Sequence, residues 1–312
     1  MESRVLRTPE ARFGALPDFP FPRRSVDIAD KIFGGLRMAY VDEGPRGQPV
    51  VLMLHGEPTW SFLYRKMIGP IAAAGFRAVA PDHIGFGASD KPSDRAAYTY
   101  QSHVDWLRRF IEKLDLTRIT LVCQDWGGPI GLRVLSEMVD RFDAVVAANT
   151  LLPNFEPPPR GIPEWPGAGI AAWGQSTKTA TDMNIGGTVA GVCVTPLPAA
   201  VVAAYDAPFP DPSYKAGPIE FPALIPITPD MPGVAENRRA WEVLGRFNKP
   251  FVTAFSDGDP ATKAWEKVFQ DGVPGAKNQP HVEIKGAGHF LQEEKGEALA
   301  DVVVGVLKRL YR

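Results

Sequence analysis

The sequence predicts an α/β protein: a mostly parallel sheet flanked by helices, interrupted by one inserted block. Three observations carry that prediction. Short apolar runs of strand length alternate with segments of helical periodicity. Of 31 prolines, 16 crowd between Pro153 and Pro232, so that stretch differs in kind from its flanks. A chain of 312 residues that is 45% hydrophobic and 22% charged can bury a large core beneath such a sheet. The expected division is a core of residues 1–152 and 233–312 around an insertion of residues 153–232.

The elements follow in chain order. The first residues carry charges at Glu2, Arg4, Arg7, Glu10 and Arg12 with no apolar stretch behind them, which does not fit a secretory signal. A β-rich start near Val26 to Asp42 leads into the runs at 49–54, 76–80, 119–123, 144–149, 250–255 and 281–284, each short and apolar enough for a buried parallel strand. Between them, Tyr100 to Leu114 repeats Val104, Leu107, Ile111 and Leu114 at helical spacing, one apolar stripe. A helix is expected from Trp126 to Val139. Another is expected over Glu293 to Tyr311, with Glu293 and Glu294 at its start and Lys308 and Arg309 at its end, complementing the helix dipole.

Charge and cysteine content narrow the partners. Lys plus Arg total 34 against 36 for Asp plus Glu, a net of −2 without like-charge blocks, which disfavours nucleic acid and anionic membrane. Cys123 and Cys193 are too few for a disulfide framework and lack metal-ligand spacing, so no metal is expected and a reducing cytoplasm is the natural home. The charge-free stretch Met183 to Tyr205 approaches bilayer length, but Gly186, Gly187, Gly191, Pro196 and Pro198 break it, so no membrane span is expected. The expected assembly is a monomer or a small homo-oligomer.

In a parallel sheet, ligands sit at the carboxyl ends of the strands. Polar residues cluster at four such ends: His55-Gly56-Glu57-Pro58, Gln124-Asp125-Trp126-Gly127-Gly128, Ser256-Asp257-Gly258-Asp259-Pro260 and Gly286-Ala287-Gly288-His289. Asp125, between a strand and two glycines, fits a strand–turn–helix elbow that exposes a nucleophile, although an Asp there can also simply cap the helix. The order Asp125, Asp259, His289 is the chain order of the α/β-hydrolase triad, with Asp in place of the usual Ser. A carboxylate attacking saturated carbon leaves an ester that water can cleave, which a serine ether does not allow. His289 would activate that water, Asp259 would orient His289 with Asp257 as the rival acid, and the backbone N–H groups of Glu57 and Trp126 would form an oxyanion hole.

On HGEPTWS (55–61), the APD-x-x-GFG-x-SDKP stretch (80–92) and QDWGG (124–128), the chain resembles the haloalkane dehalogenases. The similarity runs through nearly the whole length and into YDAPFPDPSYKAG (205–217). That resemblance implies an α/β-hydrolase core with a helical cap, Asp125 as nucleophile, His289 as base and Asp259 as acid; Asn149 stands where another subfamily carries a Glu. It implies a haloalkane and water as substrates, a halide ion as product, and no cofactor. Indole N–H groups donate without accepting and so suit a weakly hydrated halide. Trp126 is one such donor, and Trp173 is the expected cap partner, with Trp165 as alternative; Trp60 and Trp106 are read as packing. Residues 175–194 correspond weakly to the family, which leaves pocket shape open.

The nearest rival is an epoxide hydrolase with the same Asp nucleophile, which would need acidic cap tyrosines; Tyr205 and Tyr214 are the only candidates. A fluoroacetate dehalogenase would call for arginines and has Trp126 against it. A catalytically dead binding module would not keep Asp125, Trp126, Asp259 and His289 together. A nucleotide-binding enzyme lacks its glycine-rich loop.

Overall fold

The computed structural model describes residues 4–162 and 165–312; residues 1–3, with Glu2, and residues 163–164 of the expected insertion lie outside the described residues. Eight strands form one sheet: β1 (Arg23–Asp30), β2 (Gly34–Glu43), β3 (Val50–Leu54), β4 (Arg77–Pro81), β5 (Ile119–Asp125), β6 (Phe142–Thr150), β7 (Phe251–Ser256) and β8 (Val282–Ile284). Their order is β8-β7-β6-β5-β3-β4-β2-β1. β3 through β8 run parallel, whereas β1 and β2 join antiparallel, because only a tight turn at residues 31–33 connects them. Each run read from the sequence forms a strand at that place. β3 is buried at every residue, as a strand covered on both faces must be.

Helices α1 (Arg65–Ala73), α2 (Tyr100–Lys113), α3 (Gly127–Glu137), α8 (Val234–Leu244), α9 (Trp265–Gly272) and α10 (Leu291–Leu310) cover the sheet; α1 packs on α10, and α3 packs on α2 and α8. Thr99 and Ser102 form a reciprocal capping box that fixes the start of α2. Its stripe Val104, Leu107 and Ile111 is buried, while Leu114 falls at the C-cap, half-buried. The helix expected from Trp126 to Val139 is shorter: Trp126 is its N-cap, and Met138 breaks it before a single 3-10 turn.

Between β6 and α8 lie α4 (Ala168–Thr177), α5 (Ile185–Gly191), α6 (Ala199–Asp206) and α7 (Ala216–Leu224), with α4 packed on α7 and α5 on α6. The charge-free stretch is divided between α5, a proline-containing loop and α6; no described helix is long and apolar enough to cross a membrane.

The acidic start of α10 has specific partners beyond the dipole role read from the sequence. Glu293 is buried and takes a forked ion pair from Arg65 (2.7 and 2.5 Å) and the Tyr205 hydroxyl (2.6 Å), tying α1, α6 and α10 together. Glu294 accepts from the Thr195 backbone N–H (2.7 Å) and the Gly288 N–H (2.6 Å), fastening the loop before α6 to the loop that carries His289.

Candidate active site

Strand order reverses around β3, and the loops after β3, β5, β7 and β8 meet at the rim beyond it. Asp125 closes β5 with φ of 49°, in the left-handed region, a conformation costing about 1–3 kcal/mol that persists only where the surroundings enforce it. Here they do. A Cβ on Gly127 would collide with the Leu54 carbonyl and one on Gly128 with the Thr150 hydroxyl, so glycines alone let α3 begin this close to the sheet. Thr150 Oγ1 in turn donates to the Asp125 carbonyl at 2.7 Å.

The two carboxylate oxygens of Asp125 are used differently. Oδ1 accepts the Glu57 backbone N–H at 2.7 Å, and Oδ2 lies 3.3 Å from His289 Nε2. Gly56 allows this approach, because a Cβ there would occupy the place of Oδ1. Trp126 follows at the helix N-cap, where backbone N–H groups lack intrahelical acceptors.

His289 Nδ1 lies 2.9 Å from Asp259 Oδ1. Asp259 also accepts the backbone N–H groups of Ala261 (2.9 Å) and Thr262 (3.1 Å) and the Thr262 hydroxyl. The rival acid, Asp257, is exposed and accepts from Gly286 N–H, so the geometry joins Asp259 and not Asp257 to the imidazole. Burial opposes charge on both partners, yet each sustains the other. The Asp259 carboxylate and the Asp125 hydrogen bond carry His289 up to about 10, while His289 and the Thr262 and Ala261 donors bring Asp259 to about 2. Glu57 is pushed well above the usual carboxyl range by burial and by the Asp125 charge.

A cavity of about 340 Å³ opens beside Asp125, walled by apolar side chains such as Leu151, Ile170, Val192 and Ile225, with Glu57, Trp126, Trp173 and His289 among its few polar-bearing groups. Trp126 is 5% exposed and packs edge-on against Tyr100; Trp173, on α4, is 39% exposed at the same cavity. Trp165 does not line it. Its indole N–H donates to the Pro226 carbonyl at 2.9 Å and its ring packs edge-on against Trp265. Trp60 and Trp106 likewise spend their N–H groups elsewhere, on Ala204 and Asp30. Neither Tyr205 nor Tyr214 lines the cavity, and the Tyr205 hydroxyl is held by Glu293. Cys123 is a fully buried thiol held in its neutral form by burial.

Two residues that brace this site carry no bracing role in the sequence reading: Gln124 figures there only as one of the polar strand-end residues, and Asn149 only as standing where another subfamily carries a Glu. Gln124, fully buried, donates its side-chain amide to the His289 carbonyl at 3.1 Å. Asn149 Nδ2 reaches the carbonyls of Gly288 (3.0 Å) and His289 (2.9 Å) from the end of β6. The available signal was a polar residue closing an otherwise apolar strand run, at 124 and again at 149.

The model of a family described as alpha/beta hydrolase fold matches residues 49–184. A haloalkane dehalogenase of Psychrobacter cryohalolentis is 48% identical over 301 residues, 96% of this chain and 97% of that protein. A haloalkane dehalogenase of Mycobacterium marinum is 47% identical over 300 residues, 96% of this chain and 98% of that one. Among solved structures, the tetrameric haloalkane dehalogenase of Paraglaciecola agarilytica NO2 superimposes with a TM-score of 0.86 at 38% identity, covering 96% of this chain and 97% of that chain.

Proposed function

The chain belongs to the haloalkane dehalogenases, and from that premise we propose how its residues divide the hydrolysis of a carbon–halogen bond. Asp125 Oδ2 attacks the halogen-bearing carbon from the side opposite the halide. The C–O bond forms as the C–halogen pair leaves with the halide, inverting the carbon and leaving an alkyl ester on Asp125. The indole N–H groups of Trp126 and Trp173 take up the departing anion, in an apolar cavity where such donors act with little competition from water.

Water then gives its proton to His289 Nε2 and attacks the ester carbonyl carbon. Negative charge gathers on Oδ1, where the Glu57 N–H already stands at 2.7 Å and the Trp126 N–H is next in the chain. Collapse releases the alcohol and restores the carboxylate, leaving His289 protonated between Asp125 and Asp259; that proton passes to solvent once Asp125 is next alkylated, which frees Nε2 for the following water. The products are an alcohol, a halide and a proton. The scheme uses no metal and no organic cofactor.

The observation that carries this reading is the asymmetry of Asp125, one oxygen bound to a backbone donor and the other turned toward His289. The commitment of the Trp165 N–H to Pro226 supports Trp173 as the second halide donor. Residues 153–232 are read as a helical cap on a core of 1–152 and 233–312, since α4, α5, α7 and the C-cap residues of α5 and α7 supply Trp173 and much of the apolar wall. A cytoplasmic location and a monomer or small homo-oligomer complete the reading. The epoxide alternative lacks acidic tyrosines at the cavity. Halide release and pH drop with a panel of brominated and chlorinated alkanes, run beside an epoxide panel, test it: turnover of epoxides alone would overturn it.

A further inference from the structure

His289 Nε2 has two neighbours that ask opposite things of it. Asp125 Oδ2, 3.3 Å away, is an acceptor and favours a proton on that nitrogen. Gln124 Nε2, 3.1 Å away, is a donor and favours a lone pair there. The orientation of the Gln124 amide follows from its other contact. Its nitrogen lies 3.1 Å from the His289 carbonyl oxygen, which can only accept, so the NH2 end must face His289. One N–H then serves the carbonyl and the other points to the ring nitrogen.

Keeping that orientation leaves Gln124 Oε1 buried without a partner among the described residues. The two steps of the reaction need different states of the same imidazole. While Asp125 is an anion, a protonated His289 is tolerated and stabilised. Once Asp125 is an ester, its charge is gone, and the ring must be neutral to accept a proton from water.

We propose that Gln124 is a positioning residue for the hydrolytic step: its amide N–H, aimed at His289 Nε2, disfavours a proton on that nitrogen once Asp125 has been alkylated, and so readies the imidazole as a base. The inference rests on the assignment of His289 as base. The ionisable groups facing the imidazole are Asp125 at the end of β5, Asp259 after β7 and Glu57 after β3, with Glu294 of α10 bound one residue away at Gly288. Two of these upward influences on His289 arise from Asp125 and vanish on alkylation, whereas Gln124 stays.

The test is stopped-flow halide release with Gln124→Glu and Gln124→Met, each checked for folding by circular dichroism. Gln124→Glu places an acceptor against Nε2, so the first turnover should release halide at the wild-type rate. The pH at which kcat is half-maximal should then move up by at least one unit, cutting kcat about tenfold at a pH below it. Gln124→Met removes the donor without adding charge and should shift the profile in the same direction but less. If both variants keep the wild-type pH profile, or if the halide burst falls as much as kcat, the proposal is wrong. Should Gln124→Glu not fold, the Met variant decides alone. His289→Phe, run in parallel, separates the premise from the inference: repeated turnover by that variant removes the base assignment, whatever Gln124 does.

Discussion

The indole N–H of Trp165 is committed to the Pro226 carbonyl at 2.9 Å, and Trp173, eight residues on, stands at the cavity instead. Hydrogen bonds to charged groups contribute about 1.5–3 kcal/mol. Trp173→Phe is therefore expected to weaken halide binding about 10- to 100-fold, measured by quenching of tryptophan fluorescence with bromide. Trp165→Phe should lower thermal stability and leave that affinity unchanged. Equal halide affinities in wild type and Trp173→Phe would return the second donor to an open question.

Asp125→Ala should abolish halide release, because among the described residues no other carboxylate pairs with both the Glu57 N–H and His289. His289→Phe should release one halide per site and stop, with the alkyl ester detectable as a mass increase on the peptide containing residue 125. Continued turnover in that variant would remove the base assignment.

The two acids after β7 should separate cleanly. Asp259→Asn removes the partner of His289 Nδ1 and is expected to slow hydrolysis of the ester by about 10²-fold or more, while the exposed Asp257→Asn changes kcat less than twofold. A steady-state comparison of the two variants is enough. A larger loss with Asp257→Asn would reverse the assignment.

The acid–base pair also fixes a pH signature. With His289 carried up to about 10 by Asp259 and Asp125, the free enzyme holds an imidazolium through neutrality. Its stabilising contribution is present below the unfolded imidazole value and fades as pH rises through about 10. Asp259, at about 2, contributes above the ordinary carboxylate range and ceases as pH falls through about 2. Both are fully expressed between roughly pH 4 and 6.5. NMR titration of His289 should show it charged at pH 7, and Asp125→Asn should lower its titration point; an unchanged value would mean the 3.3 Å contact carries no charge coupling.

Arg65 and Glu293 are each 2% exposed along their side chains. Arg65→Met removes the forked partner of the buried Glu293 carboxylate, leaving it only Lys66 Nζ at 3.9 Å as a cation, and should cost about 3 kcal/mol of stability, read by urea unfolding. Tyr205→Phe removes one hydroxyl donor from the same carboxylate and leaves Arg65 in place, so it should cost less, about 1.5–2 kcal/mol, at the low end for a hydrogen bond to a charged group.

The central strands were legible because they are buried on both faces, and a short continuous apolar run satisfies that requirement, as at residues 50–54 and 119–123; the edge strand Val282–Ile284, expected to be buried, instead exposes Val282 and Glu283. The elbow was legible because Gly127 and Gly128 are required by contact with Leu54 and Thr150, a local demand written in local residues. Glu293 was legible only as an acid at a helix start, since its partners Arg65 and Tyr205 lie 228 and 88 residues away. The bracing role of Gln124 was hidden for a related reason: a side-chain amide gives no sign of which way it faces until the His289 carbonyl is beside it.

Sequence alone determined the fold class, the place of Asp125 at a strand end and the chain order of Asp125, Asp259 and His289, because chain-local periodicity and steric need encode those features. Tertiary structure decided between Asp259 and Asp257 at the imidazole, and set Trp173 rather than Trp165 at the cavity. Those choices depend on distances between segments far apart in the chain, and residues of one chemical type become distinguishable only when packing assigns a partner to each.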